Sequence, residues 1–166
     1  KCIGSDLDLS KAVGASKIVW SLNGTKVDSS AGSAYATGTT VAGGNGTGSG
    51  LNQFGGDAAG LVVDSIGNIY ATDRINHRIM KWAPGASAGV VYATGFSWPS
   101  GLYMDKNENI YVADRLNSRV VKIGPGGTPK TVVAGGYGRG SGLNQLNNPT
   151  GVVVDDNDTI YVADYV

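Results

Sequence analysis

The only histidine of the chain, His77, lies among residues that could assist proton transfer. It follows Asp73 and precedes Arg78 in the stretch NIYATDRINHRIMKW, residues 68–82. An imidazole close to a carboxylate and a guanidinium is a candidate general acid or base. A zinc site made of several imidazoles is excluded in this segment, because the chain has one histidine and Cys2 is its only cysteine.

The same motif returns farther along the chain without the histidine. The stretch NIYVADRLNSRVVKI, residues 109–123, has Ser118 at the position of His77. Because the aspartate, asparagine and arginine persist without the imidazole, we expect them to form an ion pair and hydrogen-bond network that holds a short loop. This structural motif comprises Asp73, Asn76, Arg78, Asp114, Asn117 and Arg119. No catalytic residue, metal ligand or cofactor is predicted.

Three further patterns resemble chemical motifs but fit turns better. GASAG at residues 85–89 has the letters of a nucleophile elbow, yet it joins two predicted strands rather than a strand and a helix. The glycine-rich runs at 43–50 and 135–142 match no phosphate-binding pattern and open no helix. DDND at 155–158 lacks the glycine and glutamate of a calcium loop. We therefore interpret all of these patterns as hairpin or connecting loops.

The elements that carry these residues are arranged in repeats. GLVVDSIGNIYATDRINHRI begins at Gly60, GLYMDKNENIYVADRLNSRV at Gly101 and GVVVDDNDTIYVADYV at Gly151. A second unit, TTVAGGNGTGSGLNQF at 39–54, returns as TVVAGGYGRGSGLNQL at 131–146. Short runs rich in Val, Ile and Tyr, separated by Gly, Asn and Asp, are typical of strands and tight turns.

Each full repeat predicts four antiparallel strands, designated a to d. In the first repeat they cover 60–64, 68–72, 78–82 and 90–94. Strand a carries apolar residues on both sides of its pleat, so we expect it to be covered on both faces. Four strands without helical periodicity between them predict an all-β fold built of β-propeller blades. The third repeat stops after its second strand.

The segments Gly-Leu-Val-Val-Asp, Gly-Asn-Ile-Tyr-Ala-Thr-Asp and Asn-His-Arg-Ile resemble the NHL repeat. The resemblance covers residues 39–166 and implies blades of four antiparallel strands in an incomplete ring, with units starting near 60, 101 and 151. Residues 1–38 are interpreted as a lead-in or a degenerate partial blade. The resemblance also implies an interaction scaffold rather than an enzyme.

Composition limits the classes of partner. Thirteen basic and thirteen acidic residues give a net charge of zero, which disfavours nucleic acid. No apolar run is long enough for a membrane helix, and none resembles a signal peptide. Three Asn-x-Thr glycan acceptor patterns are compatible with secretion but assign no compartment. An open stack of blades would expose apolar faces and favour self-association.

The loops from d to a and from b to c emerge on one face, which we expect to bind a protein or glycan ligand. Its aromatic and arginine residues are of the kind enriched at binding hot spots. Two alternatives stay open. The first is a segment of a metal-dependent propeller lyase of the peptide-amidating type, and the resemblance implies that such an enzyme holds its metal with histidines. The second is an RNA-binding propeller. The candidate binding-face residues are Phe54, Arg74, His77, Phe96, Trp98, Arg115, Tyr137 and Arg139.

Overall fold

The computed structural model describes residues 17–19 and 39–165. Two four-stranded antiparallel sheets form its centre, each with its strands in consecutive order. The predicted all-β fold of four-stranded blades is confirmed, and no α-helix occurs among the described residues. Residues 1–16 and 20–38, most of the segment that was interpreted as a lead-in or a degenerate partial blade, lie outside the described residues.

In chain order the strands are β1 Lys17–Val19, β2 Thr40–Gly43, β3 Leu61–Val63, β4 Ile69–Asp73, β5 Arg78–Trp82, β6 Val90–Ala93, β7 Pro99–Met104, β8 Ile110–Asp114, β9 Arg119–Ile123, β10 Lys130–Gly135, β11 Gly151–Val154 and β12 Ile160–Ala163. The first four-stranded sheet, β3 to β6, is called blade 1, and the second, β7 to β10, is called blade 2. In each blade the four strands take positions a to d in chain order. A two-stranded sheet precedes blade 1 and another follows blade 2.

Aspartate-capped turns set the register of the hairpins between positions a and b. The Asp64 carboxylate accepts the backbone N–H groups of Ile66 and Asn68 at 3.2 and 2.8 Å. Asp105 and Asp155 cap the equivalent turns in the same way. Burial raises the pKa of the Asp64 carboxyl, but hydrogen bonds donated by Asn68 and by the Tyr70 hydroxyl outweigh burial, so the net pKa is lowered.

The main core lies between the two complete blades. Tyr70 and Ile79 of blade 1 pack against Ile110 and Val112 of blade 2. The inner strands approach so closely that a Cβ added to Gly60 would lie 2.4 Å from the Ser100 carbonyl oxygen. Glycine at the start of position a therefore permits the stacking of neighbouring blades.

The expectation that strand a is covered on both faces holds for β7 but is wrong for β3 and β11. β7 contributes Leu102 to the core on its blade 1 side and Tyr103 to the core on its other side. Leu61 and Val63 of β3 are exposed, as is Val153 of β11. Each of these strands has a complete blade on one side only, so its second apolar face stays open.

None of the described residues forms a helix long and apolar enough to span a membrane.

Candidate functional site

Asp73, the aspartate of the loop motif in blade 1, fastens two loops together. Asp73 ends β4, is fully buried, and pairs with the Arg78 guanidinium at 2.8 Å. It also accepts hydrogen bonds from the Asn76 amide at 2.8 Å and from the Gly55 backbone N–H at 2.9 Å. The guanidinium neutralises the carboxylate, and the two neutral donors replace its lost hydration in the interior. The turn between positions b and c is thus fixed to the connection entering the blade.

Blade 2 repeats this network in a more exposed setting. Asp114 pairs with Arg119 at 2.7 Å and accepts hydrogen bonds from Asn117 at 2.8 Å and from the Ser97 N–H at 2.7 Å. Asp164 makes the equivalent bond to the Asn147 N–H. Within each blade, the structure therefore brings the predicted aspartate, asparagine and arginine into contact.

His77 lies at the end of the first of these turns, where its side chain reaches the connection between the two blades. The Trp98 backbone N–H donates a hydrogen bond to His77 Nδ1 at 3.1 Å. Both residues have left-handed backbones, with φ of 56° and 54°. Because Nδ1 accepts this bond, the neutral imidazole carries its proton on Nε2, which is a donor. His77 itself is exposed.

Arg74, in the same turn, ties blade 1 to blade 2. Its Nη1 pairs with Asp57 at 2.8 Å and its Nη2 donates to the Ser100 hydroxyl at 2.6 Å. The Nε atom is buried without a partner. Asp57 and Ser100 were missed by sequence reasoning, because neither residue type recurs at both equivalent positions and no motif marks them.

Arg115 occupies the position of Arg74 in blade 2, but its surroundings differ. Gly55 and Ser97 donate equivalent hydrogen bonds to Asp73 and Asp114, but they stand five and four residues before Gly60 and Gly101. The connection entering blade 2 is therefore one residue shorter, and no residue in it corresponds to Asp57. Arg115 has no ion-pair partner among the described residues. Its Nε is also buried without a partner.

The structure corrects two members of the predicted binding face. Phe54 is completely buried and its ring packs on Trp82 with centroids 5.0 Å apart, while Phe96 is buried in the core between the blades. An aromatic at this position covers the neighbouring blade because the connecting chain turns inward there. Tyr137 and Arg139 do lie at the surface, in the glycine-rich connection that follows β10, and Arg139 donates a hydrogen bond to Asn147 there.

The two glycine-rich connections close on themselves. The Gln53 side chain donates to the Asn45 carbonyl at 2.9 Å and accepts the Gly50 N–H at 3.2 Å. Gln145 makes the equivalent bonds to Tyr137 and Gly142. These amides are occupied by the loop's own glutamine, which explains the repeated Leu-Asn-Gln that ends each run. Within residues 17–19 and 39–165, no three His, Cys, Asp or Glu side chains are grouped so that they could hold a metal ion.

Comparison with known protein families identifies two segments of the chain. The NHL repeat family matches residues 96–123 and 146–166, which contain β7 to β9 and β11 to β12. No curated protein matches the chain by sequence.

Two solved structures show the same fold. A gluconolactonase from Xanthomonas campestris is 15% identical, with a TM-score of 0.53 over 64% of this chain and 34% of that one. A virginiamycin B lyase from Staphylococcus aureus is also 15% identical, with a TM-score of 0.50 over the same shares. The chain thus spans about a third of the length of these proteins.

These comparisons correct the expected function. The prediction of a non-enzymatic binding scaffold is wrong in its main interpretation, because the two solved structures described above are those of enzymes. At this identity the likeness establishes the fold alone. Of the two alternatives, the enzymatic one agrees better with the comparisons, although the histidine-held metal that it implied has no ligand set among the described residues.

Proposed function

The chain carries NHL repeats folded as β-propeller blades, and from this premise we propose that it is a segment of a propeller enzyme that opens lactones or related esters. The observation that carries the proposal is the fixed imidazole of His77. Its Nδ1 is held by the Trp98 backbone at 3.1 Å, so the ring is oriented without the use of Nε2. The gluconolactonase that shares the fold supports the choice of a lactone carbonyl.

His77 supplies a hydrogen-bond donor for the carbonyl oxygen of the substrate. When water adds to a lactone carbonyl, negative charge develops on that oxygen, and the ring C–O bond then breaks to give an alcohol and a carboxylate. A preorganised donor stabilises this charge and is worth about 10²–10³ in rate. The neutral ring with its proton on Nε2 has the required polarity, because Nδ1 is already an acceptor.

Arg115 supplies the positive charge for the acid that ring opening creates. The shorter connection that enters blade 2 has no counterpart of Asp57, the carboxylate that pairs with the equivalent arginine in blade 1. Arg115 therefore keeps its charge for a ligand, and a guanidinium binds carboxylates in a bidentate manner. Arg74, paired with Asp57 and Ser100, serves instead to hold the two blades in register.

The test is turnover of a sugar δ-lactone and of an open-chain ester, followed by pH-stat titration of the acid released. His77→Asn removes the Nε2 donor, and asparagine tolerates the left-handed backbone at this position. We expect it to lower kcat by about 10²-fold. Arg115→Gln should raise KM and weaken inhibition by the acid product.

Arg139→Gln is the matched control, because Arg139 lies in the glycine-rich connection after β10 and its hydrogen-bond partner is Asn147 rather than a residue near His77. It should leave both constants unchanged. A folded chain that hydrolyses neither substrate above the buffer rate would overturn the proposal, as would a His77→Asn variant with the kcat of the parent.

A further inference from the structure

One position in each connection that leads to a strand at position a has a positive backbone φ. It is the residue that follows the N–H bonded to the aspartate at the end of position b. The three residues are Gly56, Trp98 and Asn148, with φ of 109°, 54° and 55°. Glycine has no Cβ that could clash in this region, and asparagine is one of the few other residues that adopt it readily. Trp98 is the exception, because a bulky residue with this backbone is strained.

Burial of the ring in the core does not offset the strain at Trp98. The side chain is half-buried, and it belongs to none of the buried clusters or aromatic pairs that the described residues form. Its indole N–H has no hydrogen-bond partner among those residues and is not buried. Trp82, by contrast, is buried and packs on Phe54. Strained backbones cluster at ligand sites, so Trp98 is a candidate for ligand contact rather than for packing.

Trp98 is attached to both of the turns that the proposed reaction uses. Its backbone N–H donates to His77 Nδ1 at 3.1 Å. The carbonyl of the preceding residue, Ser97, accepts the N–H of Leu116, the neighbour of Arg115, at 3.0 Å. The indole is therefore carried by the segment that lies between the imidazole donor and the guanidinium.

We infer that the indole of Trp98 is the platform on which the ring of the substrate stacks, so that the site selects polyhydroxylated six-membered lactones. The inference rests on the proposed function, because it names the substrate class of the same site. The face of an indole is apolar and electron-rich, and its edge carries an N–H donor. A sugar lactone presents polarised C–H groups on one face and hydroxyl groups around its edge, so it matches both features. An unsubstituted lactone lacks the hydroxyl groups.

The first test measures binding without turnover. Isothermal titration of the full chain with a sugar δ-lactam, in which an amide replaces the reactive ester, should show binding. Trp98→Asn should raise the Kd of the lactam about tenfold, whereas Trp98→Phe keeps an aromatic face and should raise it only about threefold. Leu116→Asn is the matched control, because Leu116 is 53% exposed at the same junction but has no aromatic ring. Its Kd should equal that of the parent.

A thermal melt separates ligand contact from packing. Asn148 already has this backbone conformation at the equivalent position, so Trp98→Asn should melt at the temperature of the parent or above it. A lower melting temperature would mean that the ring stabilises the junction between the blades, and it would overturn the inference. A Trp98→Asn variant that binds the lactam as tightly as the parent would overturn it as well.

Turnover distinguishes failure of this inference from failure of the proposed function. In Trp98→Asn, the kcat/KM for the sugar δ-lactone relative to that for unsubstituted δ-valerolactone should fall about tenfold, mainly through KM. A parent chain that binds the lactam but hydrolyses no lactone would refute the reaction and retain the platform. Hydrolysis with the same ratio in parent and variant would refute the platform alone, and a parent that neither binds the lactam nor hydrolyses a lactone would refute both.

Discussion

Replacing the buried aspartate of each loop network by asparagine tests whether burial of the ion pair determines its contribution to stability. Asp73→Asn removes the negative charge but keeps the size of the side chain. The new amide can still accept the Gly55 N–H through its oxygen, but its Nδ2 then faces the Arg78 and Asn76 donors. The Arg78 side chain is only 10% exposed and cannot recover hydration.

The expected magnitude follows from the exposure of the arginine that is left behind. An orphaned buried charge typically costs about 3–5 kcal/mol, so Asp73→Asn should lower the free energy of unfolding by that amount. Asp114→Asn is the matched comparison, because its donors are equivalent but Arg119 is 30% exposed and Asn117 is exposed. Water can replace the lost carboxylate there, so we expect about 1–3 kcal/mol.

The assay is urea unfolding of the parent and the two variants at one protein concentration, followed by circular dichroism. The denaturant slope should stay the same, so that the midpoint reports stability. Equal losses in the two variants would refute the reasoning, because they would mean that arginine hydration does not matter. A loss below about 1 kcal/mol at Asp73 would also refute it.

Two other predictions concern the hairpin turns and the inner strands. Burial, followed by the hydrogen bond to Asp64, raises the pKa of Tyr70 to about 12. The protonated Tyr70 hydroxyl therefore contributes to stability below about pH 10, and this contribution is lost as the pH rises from 10 to 12. Ultraviolet absorbance of tyrosinate should show this late titration, and Asp64→Asn should shift it to lower pH; an unchanged titration in that variant would contradict the assigned hydrogen bond. Gly60→Ala should destabilise the chain by at least about 2 kcal/mol in a thermal melt, because its Cβ would lie 2.4 Å from the Ser100 carbonyl oxygen and 2.7 Å from the Leu102 nitrogen. An unchanged melting temperature would mean that the two blades can separate without loss.

The sequence predicted the blades because their signals are local. Short runs rich in Val, Ile and Tyr, turn aspartates at 64, 105 and 155, and a glycine at the start of each inner strand act within a few residues of one another, and each recurs. Repetition also identified the motif of Asp73, Asn76 and Arg78, since the same three types return around Asp114. The predicted strands c and b of the first repeat differ from β5 and β4 by at most one residue at either end.

The candidate site was less accessible to sequence reasoning because its residues depart from the repeat. The contact between His77 and the Trp98 N–H crosses two blades, and neither residue type recurs at its equivalent position. Phe54 and Phe96 looked like surface aromatics, since a loop position alone does not reveal that the chain turns inward over the next blade.

The sequence by itself determined the secondary structure, the blade repeat and the ion-pair motif, because short-range hydrogen bonding and runs of β-forming residues between turns specify them. Only the tertiary structure decided which arginine is neutralised, which aromatic rings are buried and which inner faces stay open. Those properties depend on what the adjacent blade places opposite each residue, and blade stacking brings together groups that lie tens of positions apart in the chain.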